Sequence, residues 1–364
     1  MADKKQSVAF IGTGIMGAPI AGHILDAGYP LTVFNRTKSK AQGLIDRGAT
    51  WAANAAEAVA GADVVFTMVG YPAEVEELYL AGDGLLATTK PGAVLIDLTT
   101  SAPSLARDIA EAAQVSDRMA FDCPVTGGES GAIAGTLTAI VGATEHDIEP
   151  VRAILETFTS KICCFGGAGK GQSAKLANQI SLASSMVGMA DALAFAEQSG
   201  LDVEQTRQMI LGGTGKTGAM ESLAPKALEG DYKPGFMVEH FLKDIKLALM
   251  VAEDKELALP GTDVAFTLYD MLEAIGGGRM GTQAITLLYQ EEADAVAAGL
   301  DWSGFRPEEH GMHEDGCGCG DGECGCDHDH DDDECCHGRH HEEGHECCGR
   351  HHHGDGCGCG HDAE

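Results

Sequence analysis

Basic side chains are scarce in this chain of 364 residues: 24 Lys and Arg stand against 56 Asp and Glu, a formal net charge of −32. A surface that acidic repels phosphate backbones, which argues against nucleic acids and anionic membranes as partners. Aromatic residues make up only 5 %, so small and aliphatic side chains must do most of the packing. No apolar run reaches membrane-spanning length, and Met1–Gln6 is a short polar lead into a strand rather than a signal peptide. A soluble cytoplasmic protein is expected, long enough for two domains. Cysteine is almost missing from the first 310 residues, which hold only Cys123, Cys163 and Cys164, while ten more crowd between Cys317 and Cys359. In a cytoplasm that clustering suggests metal binding more than disulfides.

What is present begins at Val8-Ala-Phe-Ile, four apolar residues that run into Gly12-Thr13-Gly14-Ile15-Met16-Gly17. A helical pattern follows from Ala18 to about Ala27. Strand, glycine turn and helix in that order make a dinucleotide site: Gly12 for the tight turn, Gly14 for approach of a pyrophosphate, Gly17 for close helix–strand packing. The helix N-terminus, with Ile15 and Met16 leading into it, offers free N–H groups to the phosphates.

Strands and helices then alternate through Leu31–Asn35, Lys38–Arg47, Ala62–Val69, Glu74–Leu80, Pro91–Leu98, Ser104–Gln114, Ala120–Pro124 and Leu137–Val141. Alternation of this kind predicts an α/β Rossmann-like domain with a doubly wound parallel sheet, spanning residues 1–168. From residue 169 to about 305 the pattern is helical. It starts with a proline-free run, Ser173–Ser199, and continues through Val203–Gly212, Ala224–Gly230, Phe241–Glu256, Thr262–Ile275 and Gln283–Ala298. An all-helical second domain is expected.

The end of the second strand selects the nicotinamide. An acid there would accept from the 2′-hydroxyl of NAD, but the chain reads Asn35-Arg36-Thr37-Lys38. Arg36 can grip a 2′-phosphate, and Asn35 and Thr37 can donate hydrogen bonds to it, so NADP(H) is favoured over NAD(H).

Two more segments carry chemistry. Asp122-Cys-Pro-Val-Thr126-Gly127-Gly128 breaks from a strand into a turn whose exposed N–H groups and hydroxyl suit a carboxylate. Downstream, Lys175, Asn178 and Gln179 fall at i, i+3 and i+4 and share one helix face. An ordinary amphipathic helix gives the same spacing; apolar neighbours Leu176 and Ile180 set this lysine into a packed element instead.

Together these segments resemble the β-hydroxyacid dehydrogenase family, over residues 7–300. The resemblance is carried by the glycine turn at Gly12–Gly17, the Asp-x-Pro-Val-Thr-Gly-Gly run at Asp122–Gly128, Gly-x-x-x-Lys-x-x-Asn at Gly171–Asn178, and Lys243-Asp244 seven residues after Phe236. It implies that Lys175 is the catalytic acid/base and that Thr126, Gly127 and Gly128 bind the substrate carboxylate. It further implies that Asn178 orients the reacting oxygen, that Lys243 and Thr100 lie at the cofactor, and that Val69 lines its adenosine side. The chain departs from the family's pattern at Gly70-Tyr-Pro72, at Cys123 and at Gln179, where Leu-Pro, Ala and a second Asn are commoner. The implied activity is NAD(P)-dependent interconversion of a small β-hydroxy acid and its oxo acid or semialdehyde, of the 3-hydroxyisobutyrate, tartronate or succinic semialdehyde type. The family commonly forms homodimers or homotetramers. Imine reductases, which are related, commonly lack the lysine.

Residues 306–364 differ from both halves. From 308 onward they hold ten Cys, twelve His and eighteen acids against two Arg, and almost no aliphatic residues. Such a segment cannot bury enough apolar surface to fold unaided, and a disordered tail is expected. Its thiols and imidazoles, at Cys317, Cys319, Cys324, Cys326, His328, His330, Cys335, Cys336, Cys347, Cys348, Cys357 and Cys359, suit Zn, Ni or Cu. Their spacing does not match a zinc fold, so loose binding of several ions is expected. A second reading follows: a metal-binding protein whose body is a non-catalytic NADP(H) sensor.

Overall fold

The computed structural model describes residues 5–304, which lie within one compact unit. Val8–Ile11 forms β1, and all four of its residues are buried. A strand buried on both sides needs cover on both faces of its sheet. Val8 and Phe10 pack with Val33, Phe66 and Phe158, whereas Ala9 and Ile11 pack with Val65, Tyr79 and Leu95. The remaining strands of this sheet are β2 (Leu31–Phe34), β3 (Thr50–Trp51), β4 (Val64–Thr67), β5 (Val94–Asp97) and β6 (Met119–Asp122). Their order is β3-β2-β1-β4-β5-β6, and every pairing is parallel. The strand order reverses between β1 and β4, and a doubly wound sheet binds its ligand in the crevice above that point.

Leu137–Val141 is a strand, as its apolar run predicts, but it does not join the parallel sheet. It is the centre of a second sheet, β7 (Val125–Thr126), β8 (Leu137–Val141) and β9 (Thr159–Cys164), with β7 antiparallel to β8 and β9 parallel to it. Pro124, which has no N–H to give a ladder, stands between β6 and β7. Its carbonyl accepts instead from Ile140, and the Asp122 carbonyl accepts from Gly142. Those two bonds hang the small sheet from the edge of the large one.

The helical half is built on Lys170–Gln198, a helix of 29 residues. By length and mean hydropathy, 1.2 over its best 18-residue window, it qualifies as a membrane span, contrary to the expectation that no such run exists. Its buried positions nevertheless include Gln172, Lys175 and Gln179 beside Ala183, Met186 and Met189. It is the spine of a core shared with Phe241, Ile245, Tyr269 and Leu272. The rings of Phe241 and Tyr269 meet edge to face at 5.0 Å, and the Tyr269 hydroxyl donates to the Thr282 carbonyl. The flanking helices are Val203–Leu211, Gly218–Ser222, Ala224–Leu228, Val238–Glu253 and Pro260–Ala274. The expected helix Gln283–Ala298 is instead a 3-10 helix, Thr282–Tyr289, and a short helix, Glu292–Ala297. Thr282, Gln283, Ala284 and Ile285 are all buried in succession, so no single helical stripe faces the core there.

Candidate active site

At the reversal point the glycines separate by function. Gly12 has φ +97°, and a β-carbon there would lie 2.1 Å from the Met68 carbonyl oxygen; one at Gly17 would lie 2.0 Å from the Gly12 carbonyl oxygen. Those two positions are required by the chain itself. Nothing lies within 4 Å of a β-carbon placed on Gly14. The amides of Gly14, Ile15 and Met16 donate to no acceptor among the described residues. An open cradle of free N–H groups ahead of the helix Gly17–Asp26 fits a dinucleotide pyrophosphate.

The turn after β2 is laced to this loop. The Thr13 amide donates to Asn35 Oδ1 at 3.1 Å, and Asn35 Nδ2 donates to the Thr37 carbonyl at 3.0 Å. Arg36 projects into solvent and ion-pairs with Glu74 at 2.6 Å. The Lys38 ammonium lies over the Trp51 ring. On the other side of the crevice, the Val69 amide donates to Thr99 Oγ1. Thr99 follows Asp97, whose buried carboxyl accepts from Thr67 Oγ1 and the Thr99 amide and is pushed up to about 6 by burial.

Lys175 is placed by Asp122. At the end of β6, Asp122 Oδ1 accepts from the Gly169 amide at 2.8 Å and Oδ2 from the Gln172 amide at 2.7 Å. The carboxylate thus caps the long helix one turn before the lysine, and burial raises its pKa against those bonds. Gly171 makes the approach possible: a β-carbon there would lie 2.5 Å from the Ile140 carbonyl oxygen. Gln172, fully buried, locks the same turn to the first half. It donates to the Thr99 carbonyl and accepts from the Ser101 amide.

Lys175 is itself buried, with no hydrogen-bond partner among the described residues. Burial pushes its ammonium down to about 8; Lys243 pushes the same way and Asp244 opposes. Around it runs a chain of contacts across the two halves. Asn178 Nδ2 donates to Gln179 Oε1 at 2.9 Å, and Gln179 Nε2 donates to Asp244 Oδ2 at 2.7 Å. Lys243 Nζ lies 2.9 Å from Asp244 Oδ1 and donates to the Thr100 carbonyl at 2.6 Å. The 2.9 Å contact is close enough for an ion pair but lies off the hydrogen-bond direction, since that oxygen has no hydrogen-bond partner among the described residues. Lys243 and Thr100 therefore meet directly, and with Lys175 and Asn178 they occupy one neighbourhood.

Thr126 is half-buried and Gly127 and Gly128 are exposed, with φ +131° and +64°. Their tie to Lys175 runs through Asp122 and not through a direct hydrogen bond. Cys123 is buried, and burial pushes its thiol well above the ordinary value, which suits packing and not nucleophilic attack. His240 stands one turn before Lys243, its ring 5.6 Å from that of Tyr71 across the crevice, and burial holds its pKa below the usual range. Gln172, Glu74 and the Asp244–Gln179 bond were not foreseen. For Gln172 a signal existed, a large polar residue on the same helix face as Lys175. The metal-ligand positions from Cys317 to Cys359 lie outside the described residues, and among the described residues no group of three His, Cys or acidic side chains is arranged to hold a metal.

Residues 7–167 match the NAD binding domain of 6-phosphogluconate dehydrogenase, and residues 169–289 match the NAD-binding domain of NADP-dependent 3-hydroxyisobutyrate dehydrogenase. A probable mitochondrial 3-hydroxyisobutyrate dehydrogenase-like protein of Arabidopsis thaliana is 42 % identical over 281 residues, 77 % of this chain and 84 % of that one. An NAD-dependent L-serine dehydrogenase of Pseudomonas aeruginosa is 38 % identical over 73 % of this chain and 92 % of its own length. Among solved structures, the 3-hydroxyisobutyrate dehydrogenase of Mycobacterium tuberculosis with L-serine superposes with a TM-score of 0.72 at 31 % identity, covering 79 % of this chain and 99 % of that one.

Proposed function

The chain belongs to the β-hydroxyacid dehydrogenase family, of the 3-hydroxyisobutyrate dehydrogenase type, and on that premise we propose that Lys175 is the acid/base for a small β-hydroxy acid and its oxo acid or semialdehyde. The activity class is the family's: a nicotinamide-dependent dehydrogenase acting on a CH–OH group. When bound, the nicotinamide supplies or accepts the hydride. The chain's own residues handle the proton and the carboxylate. In reduction the Lys175 ammonium donates its proton to the carbonyl oxygen; in oxidation the neutral amine takes the hydroxyl proton. Asn178 donates to the same oxygen, and Lys243 and Thr100 border the cofactor. Thr126, Gly127 and Gly128 receive the carboxylate. The names of two relatives support the substrate class: 3-hydroxyisobutyrate and serine each carry a carboxylate and a β-hydroxyl.

One observation carries the reading: a buried lysine with no hydrogen-bond partner among the described residues and its pKa lowered to about 8. That value lets one group give and take a proton near neutrality. A body that only sensed NADP(H) would not need it. NADP(H) is favoured because no acid ends β2 and exposed Arg36 stands there. The test is NADPH oxidation against a panel of small semialdehydes and oxo acids, with NADP-linked oxidation of the matching hydroxy acids. Turnover on at least one supports the reading; binding of NADPH without turnover on any overturns it in favour of the sensor.

Two further parts belong to the proposal. Phe195, Met250, Leu257 and Val264 are exposed on the helical half, which supports a homodimer or homotetramer formed through that half. The composition of residues 308–364 supports loose binding of Zn, Ni or Cu as a second property of the same chain.

A further inference from the structure

Arg36 decides the cofactor assignment, and it does not stand alone. Its guanidinium lies 2.6 Å from Glu74 Oε1. Glu74 is held from the other side, where Oε2 accepts from the amides of Gly70 at 2.8 Å and Tyr71 at 3.2 Å. Those amides open the helix Pro72–Leu80, whose N-terminus favours negative charge. Glu74 is therefore anchored, with a side chain 25 % exposed. The Arg36 side chain is 84 % exposed and has this single tether among the described residues.

We propose that Glu74 is a specificity-determining residue: its carboxylate, fixed beside Arg36, weakens the preference for NADP(H) and leaves NAD(H) usable. The inference rests on the reading that Arg36 meets the 2′ position of the adenosine ribose. Arg36 alone would offer a 2′-phosphate a full positive charge. Paired with Glu74 it offers a locally neutral ion pair, and the doubly charged phosphate meets a fixed carboxylate behind the guanidinium. A 2′-hydroxyl carries no charge and is nearly indifferent to that carboxylate. The acid that NAD-binding strands place at the end of β2 is missing here, and a carboxylate reaches the same turn from the helix that follows β4.

The test is binding, not turnover: fluorescence titration of NADPH and of NADH into full-length wild type, Glu74→Gln, Glu74→Asp and Arg36→Gln. Glutamine keeps an acceptor for the Gly70 and Tyr71 amides and suits the first turn of a helix. Glu74→Gln is expected to bind NADPH about five-fold tighter and NADH within about two-fold of wild type, the scale of one partly screened charge. Glu74→Asp, which keeps the charge, should leave the ratio near that of wild type. An unchanged or weaker NADPH affinity in Glu74→Gln, while Arg36→Gln still loses NADPH affinity, overturns the role of Glu74 and spares the cofactor reading. Equal tightening of both cofactors, or a matching gain in Glu74→Asp, overturns it too. An Arg36→Gln variant with undiminished NADPH affinity removes the cofactor reading and this inference with it.

Discussion

Replacing Lys175 by Met is expected to stabilise the protein while inactivating it. Burial pushes the lysine down from 10.5 to about 8, with Lys243 assisting and Asp244 opposing. A folded pKa below the unfolded one means that the unfolded chain holds more protons between about pH 8 and 10.5, so this group's contribution to stability rises with pH across that window. Below about pH 8 the whole penalty is present, on the order of 3 kcal/mol for a depression of this size. Met occupies a similar volume without charge, and Asp244 keeps Lys243 and Gln179 as partners. Lys175→Met should therefore gain up to about 3 kcal/mol near neutral pH, roughly 5 °C in Tm for a chain this long. Denaturant midpoints of both proteins, taken near neutrality and again at about pH 9.5, check it, and the gain should shrink at the higher pH. A loss of stability, or a gain that does not change with pH, would refute the reasoning that a buried charge is held there at a cost in folding energy.

The same lysine sets the pH dependence of turnover. Oxidation needs the neutral amine and should rise through about pH 8, while reduction needs the ammonium and should fall through it. Initial rates in the two directions, measured in one buffer series, contradict this if their profiles run parallel. Asp122→Asn leaves one acceptor oxygen for two amide donors and turns an NH2 toward one of them. A loss of about 1–3 kcal/mol in unfolding free energy is expected, with a fall in kcat larger than any rise in KM; wild-type kinetics in the Asp122→Asn variant would show that the cap does not position Lys175. Removing residues 306–364 should leave kcat and KM unchanged and eliminate most bound transition metal. Equal metal content before and after truncation, read by mass spectrometry, sinks the metal-binding proposal.

Much of the frame is legible in the sequence because burial on both faces leaves a direct trace. Val8–Ile11 and Val64–Thr67 are buried along their whole length, and Gly12 and Gly17 are forced by carbonyl oxygens about 2 Å from where β-carbons would sit. β3 leaves no such trace: it is two residues long, with Thr50 exposed and Trp51 half-buried. The sheet to which Leu137–Val141 belongs was also hidden, since its run is as apolar as a central strand's and only pairing with distant Thr159–Cys164 reveals its place. In the candidate site, spacing put Lys175, Asn178 and Gln179 on one helix face, and the family resemblance added the Lys243-Asp244 pair. Contacts made through space did not show: Glu74 on Arg36, Gln172 on Thr99 and Ser101, Gln179 on Asp244. Each joins segments far apart in the chain, where local pattern carries no information.

The central claim is that Lys175 moves the proton, and it is tested most directly by comparing wild type with Lys175→Ala in two measurements on the same preparations. One is turnover on whichever β-hydroxy acid or semialdehyde the wild type accepts; the other is NADPH affinity by fluorescence titration. Turnover reduced by a factor of about 100 or more, with affinity unchanged within about two-fold, is the predicted result. Turnover that survives the substitution, or turnover and affinity lost together, would contradict it.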